Sequence, residues 1–294
     1  MVIREKGKMM RMQIYLCALT LVAASAAWGR PAAYVSHRGD YADAPEASMA
    51  AYRNAVTLGA DVVKLDVNPS KDGVTFLSHD TTLNRTVGWN VRIADVTSDE
   101  ILAHVFNYRV FGAPLSTERL VMLKQALRMM KDRIPRFWVD FKTFSPEFAE
   151  KVFAEFAEVG IARSRIMVAT DPYGPAHAYL RDHHPDIPCL THIDFIEYPN
   201  GIWASFGGGR RFKDAAELEQ GILDYAAKMK LRGVNMLDIP EIVTKDLVAH
   251  LKAKGLLVSI AVINSEREAK LFAGYDTDFV VTGNLRAVKP ILDK

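Results

Sequence analysis

The sequence predicts an α/β protein folded as a closed (β/α)8 TIM barrel with a small insertion after the second strand. Eight short apolar runs alternate with helix-compatible segments from Tyr34 to the carboxyl end, which is the pattern of βα units around a parallel sheet. Apolar residues make up 49% of the 294 residues and charged residues 24%, enough to fill one large core. No proline-rich linker or change of composition interrupts the series. Eight units in roughly 260 residues suit a closed barrel better than the alternative, a doubly wound open sheet.

Taken in order, residues 1–27 read as a cleaved secretory signal. Arg4, Lys6, Lys8 and Arg11 precede an apolar run from Met12 to Ala24, and Ala24, Ser25 and Ala26 form a small-residue cleavage site. The run is too short to span a bilayer comfortably. An exported protein, periplasmic or extracellular, is therefore expected, with residues 28–294 as its single domain and no stable membrane span after cleavage. The leader carries four basic residues and one acidic residue, so the formal net charge of +2 belongs to it and the rest is close to neutral. Such a balance gives no support for a nucleic-acid partner. Cys189 is the one cysteine beyond the leader, which excludes an internal disulfide and suggests a small apolar core residue.

The first strand, Tyr34 to His37, leads to a helix that Ser48 can cap, with Met49, Tyr52 and Val56 on one face and Gly59 at its end. In the second strand, Val62 to Val67, alternation puts Val63, Leu65 and Val67 toward the helices. Lys64 and Asp66 then point into the barrel near the carboxyl ends of the strands, where sites of this architecture collect. The insertion follows: Lys71, Asp72 and Gly73 make a turn, and Thr75 to His79 reads as an extended return that brings His79 back to the mouth. The third strand, Phe137 to Phe141, repeats the phase, with Val139 and Phe141 outward and Trp138, Asp140 and Lys142 on the other side. The fourth and fifth runs are Ile166 to Ala169 and Pro188 to His192; His192 would line the mouth, and His183 and His184 read as solvated residues at a helix end. Phe195 to Phe212 reads as a long irregular stretch in which Gly207 to Arg211 forms a lid or a loop with solvated charges, since it lacks phosphate-loop spacing. The last three runs are Val234 to Leu237, Leu257 to Val262 and Phe279 to Thr282.

Two histidines, an arginine and carboxylates at these strand ends suggest acid and base catalysis on an anion, because imidazole both takes and gives a proton near neutral pH. One ordered series of motifs runs through His37 to Gly39, Pro45 with Glu46 and Ser48, Gly59 to Asp61, Asp66, Ser70 to Gly73, His79 with Asp80, Thr82 to Thr86, and Asp140 with Lys142. This series resembles that of the glycerophosphodiester phosphodiesterase family, a branch of the phospholipase-C-like phosphodiesterase barrels. The resemblance implies hydrolysis of glycerophosphodiesters to glycerol 3-phosphate, or of a related phospholipid headgroup diester. His37 and His79 are then the acid and base, with Arg38, Lys64, Lys142 and Glu46 as substrate-binding groups. The small molecule is the expected partner.

The resemblance also implies a divalent cation, calcium or magnesium, held by carboxylates of which Asp66 and Asp140 remain. Lys64 departs from the pattern by standing where the family has a glutamate, and an ammonium repels a metal. Three readings stay open: Lys64 replaces the cation, a weakened site with Asp66, Asp140, Glu46 and water still takes one, or the barrel binds phosphodiesters without cleaving them. A lyase that stops at a cyclic phosphate is a further alternative.

Overall fold

The computed structural model describes residues 32–107, 117–170 and 175–294; the expected leader lies outside them. Its strands run β1 (Ala33–His37), β2 (Val62–Pro69), β3 (Thr75–Leu77), β4 (Val121–Met122), β5 (Arg136–Phe141), β6 (Ile166–Thr170), β7 (Cys189–Ile193), β8 (Phe195–Tyr198), β9 (Gly201–Ala204), β10 (Arg210–Phe212), β11 (Gly233–Leu237), β12 (Leu257–Ala261) and β13 (Phe279–Thr282). Eight of them, β1, β2, β5, β6, β7, β11, β12 and β13, pair in parallel, and β1 bonds both β13 and β2 to close the ring. The chain is a (β/α)8 barrel, as expected, with each barrel strand within two residues of its expected ends.

The pleat sorts the side chains as the alternation requires. Val63, Leu65, Val67 and Val139 lie in the layer between sheet and helices. Val35, Val62, Trp138, Met167, Leu190 and Phe279 fill the interior below the mouth. Trp138 is fully buried against Phe279, and truncating such a residue to alanine typically costs about 3–5 kcal/mol. Above this apolar floor, the inward rows of β1, β2, β5 and β7 end in polar residues, at His37, Asn68, Asp140 and His192. Ser48 caps the first helix, Met49–Thr57, by accepting from the Ala51 N–H.

The insertion after β2 has its own apolar cluster, including Phe76, Leu83, Ile93, Ile101 and Phe106. Its hairpin is the expected one: β3 runs antiparallel to β2, with Val67 opposite Leu77 and Pro69 opposite Thr75. Phe195 to Phe212 differs from the irregular stretch expected. It is a three-stranded antiparallel sheet, β8, β9 and β10. Tyr198 pairs with Gly201, so Pro199 and Asn200 make a two-residue turn. Gly201 sits at φ 135°, and a Cβ there would stand 2.3 Å from the Phe212 carbonyl oxygen. The glycines Gly207 to Gly209 form the second turn. Arg210 pairs with Glu217, and the Arg211 guanidinium lies 4.4 Å over the Tyr198 ring. Arg210 thus reaches the helix that follows the sheet, and Arg211 rests on the sheet itself.

Candidate active site

The turn after β1 places the first pair of candidate residues. Arg38 takes φ 57° and Gly39 φ 82°, so the chain reverses within two residues. A Cβ on Gly39 would approach Ala51 to 2.7 Å, which only glycine avoids. The Arg38 carbonyl accepts from the Ala47 N–H, and the Asp40 carboxylate accepts from the Leu285 N–H at the start of the last helix. Pinned on both sides, the turn leaves His37 at the strand end and sends Arg38 across the mouth. A left-handed non-glycine residue costs on the order of 1 kcal/mol or more, and these contacts hold it there.

Lys64, Asp66 and Asp140 meet in the centre of the mouth. Register sets this: His37 is level with Lys64, and Asp66 with Asp140. The Lys64 Nζ donates to Asp66 Oδ1 and to Asp140 Oδ2, each at 2.5 Å. Lys142 Nζ lies 2.9 Å from Asp140 Oδ2 and 3.6 Å from Asp66 Oδ1. Arg38 Nε lies 3.1 Å from Asp66 Oδ2, an ion pair rather than an aligned hydrogen bond. Burial alone would raise both carboxyl groups, but the ammonium groups of Lys64 and Lys142 outweigh it and hold both well below the usual range. Burial likewise works against the charge of Lys142, and the two carboxylates raise it above its ordinary value. Three cations thus surround two carboxylates.

The two histidines stand at this cluster in different settings. His37 is buried, its Nδ1 3.5 Å from the Tyr41 hydroxyl, which accepts from Asn264 Nδ2 at 3.2 Å. Burial, then the charges of Arg38 and Lys64, push its pKa well below the imidazole value. His79 is more open. Burial lowers it too, while the Asp66 charge and the Asp80 hydrogen bond pull the other way. Its Nδ1–H donates to Asp80 Oδ1 at 2.8 Å, and Asp80 Oδ2 accepts from Arg85 Nε. This leaves His79 Nε2 for a substrate. His79 is close enough for its charge to bear on His37.

Glu46 also reaches the site, where its carboxylate accepts from Arg38 Nη1 and from both terminal nitrogens of Arg85. The catalytic, substrate-binding and metal-ligating candidates read from the sequence thus converge on one mouth. Several supports were not singled out. Asn68, inward on β2, donates to the carbonyls of Ser78 and Asp80 and so fastens the backbone on either side of His79. Arg85 clamps Glu46 and Asp80; its place in the Thr82 to Thr86 motif was the available signal. His192 lines the mouth and bonds Asp140 Oδ2 at 3.2 Å. Elsewhere, His184 is buried between Glu150 and Arg163 rather than solvated. Cys189 is a core residue whose thiol burial pushes up to about 12.

The donor set does not fit a divalent cation. An ammonium fills the space between the two carboxylates that would ligate one, and among the described residues no group of three or more His, Cys, Asp or Glu could hold a metal. Among those residues, too, no helix is long and apolar enough to cross a membrane.

Comparison with known proteins points to one family. The profile described as the Glycerophosphoryl diester phosphodiesterase family matches residues 37–286. A glycerophosphodiester phosphodiesterase from Caldanaerobacter subterraneus subsp. tengcongensis is 34% identical over 166 residues, 55% of this chain and 68% of that protein. A lysophospholipase D from Mus musculus is 40% identical over 256 residues, 81% of this chain and 78% of that protein. Among solved structures, an Oleispira antarctica phosphodiesterase in complex with the product sn-glycerol-3-phosphate superposes with a TM-score of 0.67 at 18% identity, covering 89% of this chain and 97% of that one.

Proposed function

Because the chain belongs to the glycerophosphoryl diester phosphodiesterase family, and is with it a phosphoric diester hydrolase, we propose that it cleaves glycerophosphodiesters to sn-glycerol 3-phosphate and an alcohol without a metal ion. The observation that carries the metal-free reading is the Lys64 ammonium held 2.5 Å from both Asp66 and Asp140. Its charge stands where a cation would offset the phosphate, together with Lys142 and the directional donors of Arg38. Glu46, itself clamped by Arg85, holds Arg38 in place.

The two imidazoles serve as acid and base. One takes the proton of a glycerol hydroxyl as its oxygen bonds phosphorus, and the other protonates the departing alkoxide as its bond to phosphorus breaks. The product of that step is a cyclic phosphate. Water then opens the ring with the roles exchanged, forming one phosphorus–oxygen bond and breaking another. The neutral state of buried His37 supports a first step in which an imidazole accepts a proton, and the Asp80 partner of His79 steadies a positive imidazole on the other side. The relatives that act on glycerophosphodiesters and lysophospholipids support substrates of that class. The basic and apolar amino-terminal run supports export to the periplasm or the medium.

Phosphorus NMR of purified enzyme with glycerophosphocholine and with a lysophospholipid tests the reading. Accumulating glycerol 3-phosphate from the first substrate and lysophosphatidic acid from the second, with a cyclic phosphate only in transit, is expected. A cyclic end product would mark a lyase, and no turnover of any diester would mark a binding protein.

A further inference from the structure

Opposite the charged cluster, the inward positions of three neighbouring strands carry a row of uncharged polar groups. His192 on β7, Asn235 on β11 and Ser259 on β12 are level with one another in the sheet register. Ser259 is fully buried and Asn235 nearly so. The Ser259 hydroxyl lies 2.6 Å from Asn235 Oδ1, Asn235 Nδ2 lies 2.8 Å from His192 Nδ1, and His192 Nε2 lies 3.2 Å from Asp140 Oδ2. The row thus ends on the oxygen that Lys64 and Lys142 also share.

The direction of every bond in this row follows from its last member. Asp140, ionised beside two ammonium groups, only accepts hydrogen bonds, so His192 Nε2 must carry a proton. A neutral imidazole has one N–H, so Nδ1 is a lone pair and needs a donor. Asn235 supplies it by turning its amide nitrogen toward the ring, which leaves Oδ1 to accept from Ser259. Reversing the row would set the Nε2 lone pair against a carboxylate. Protonating the ring would require the Asn235 amide to flip, since Nδ1 would then carry a hydrogen facing the amide nitrogen.

We propose that His192 is a positioning residue, held by Asn235 and Ser259 as the neutral Nε2–H tautomer, whose single N–H fastens Asp140 and thereby aims Lys64 and Lys142 at the phosphate. The aiming rests on the reading that the phosphate binds above those two ammonium groups; the tautomer does not. Asp140 Oδ2 takes three donors, and without the third the carboxylate is free to rotate about its last bond and carry both ammonium groups with it. Misplacement by about 1 Å costs roughly 100-fold in rate where groups must be held in reacting geometry.

Long-range proton–nitrogen correlation on histidine-labelled, substrate-free enzyme, with His192 assigned by its loss in His192→Leu, reads the tautomer directly. The expected spectrum has a protonated Nε2 and a bare Nδ1; a proton on Nδ1, or on both nitrogens, overturns the proposal. In turnover, His192→Leu should lower kcat/KM about 10- to 100-fold, and His192→Gln, whose amide again offers an N–H to Asp140, should recover at least tenfold of it with the same melting temperature as His192→Leu. Equal losses in both folded variants, or none in either, would remove the positioning role. An enzyme inactive on every diester would refute the functional reading while the spectrum still decides the tautomer.

Discussion

On one side of the barrel mouth, β1, β2 and β5 supply His37, Arg38, Lys64, Asp66 and Asp140, a cluster in which every group but the imidazole is charged. On the other side, β7, β11 and β12 supply His192, Asn235 and Ser259, with no formal charge among them. The first side gains its Coulomb energy only because opposite charges satisfy one another, since each ion removed from water costs several kcal/mol. The second side gives direction instead, through hydrogen bonds that run one way. They meet at Asp140 Oδ2, which both sides hold. Under the proposed function, the barrel keeps the force that offsets a phosphate and the geometry that aims it on separate strands.

The largest effect that would break this division is loss of the acid or base. His37→Ala and His79→Ala should each lower kcat by about 10²- to 10⁴-fold while circular dichroism shows an intact barrel; near-normal turnover in either would contradict the assignment. Next comes stability. Lys64→Met leaves Asp66 and Asp140 buried side by side, and removing one partner of a buried ion pair costs about 3–5 kcal/mol. Ser259→Ala on the neutral side strands only an amide oxygen, at about 1–3 kcal/mol. Denaturant melts of the two variants should therefore rank in that order, and the reverse order would mean that the charged cluster is not what the mouth depends on.

The pH response should be smaller and has a definite sign. His37 and His79 are lowered by burial, so the unfolded chain binds protons that the folded one does not. Stability is then fully present above about pH 6.5 and is lost as pH falls from there through the folded values. Asp66 and Asp140, held low by Lys64 and Lys142, add a second loss as pH falls below the ordinary carboxyl range. For the free enzyme, the acid limb of kcat/KM should have its midpoint below about 6.5; a midpoint above it would mean that burial does not keep His37 neutral.

The charged side was legible in the sequence, whereas on the neutral side only His192 was. Alternation in Val62 to Val67 fixed the phase of β2, because turning Lys64 outward would also have turned three apolar residues inward, and the Lys71 to Gly73 turn gave the hairpin that returns His79. Charged residues in an apolar strand announce themselves. Asn235 and Ser259 do not, since one small polar residue per strand is compatible with many environments, and their partners are set by a register that spans three strands. The sheet of β8, β9 and β10 escaped for another reason: its strands have only three or four residues, too few for a period to emerge, although Pro199, Asn200 and Gly201 marked the turn. Arg85 stood within a recognisable motif, but its reach to Glu46, 39 residues away, is a property of the folded insertion.

In the proposed mechanism the Lys64 ammonium does the work of a divalent metal ion. Enzyme freed of metal by chelation and dialysis, assayed on glycerophosphocholine by phosphorus NMR with and without added calcium or magnesium, tests it most directly. The account predicts the same rate of glycerol 3-phosphate release in every condition. A rate that vanishes on chelation and returns with either ion would contradict it.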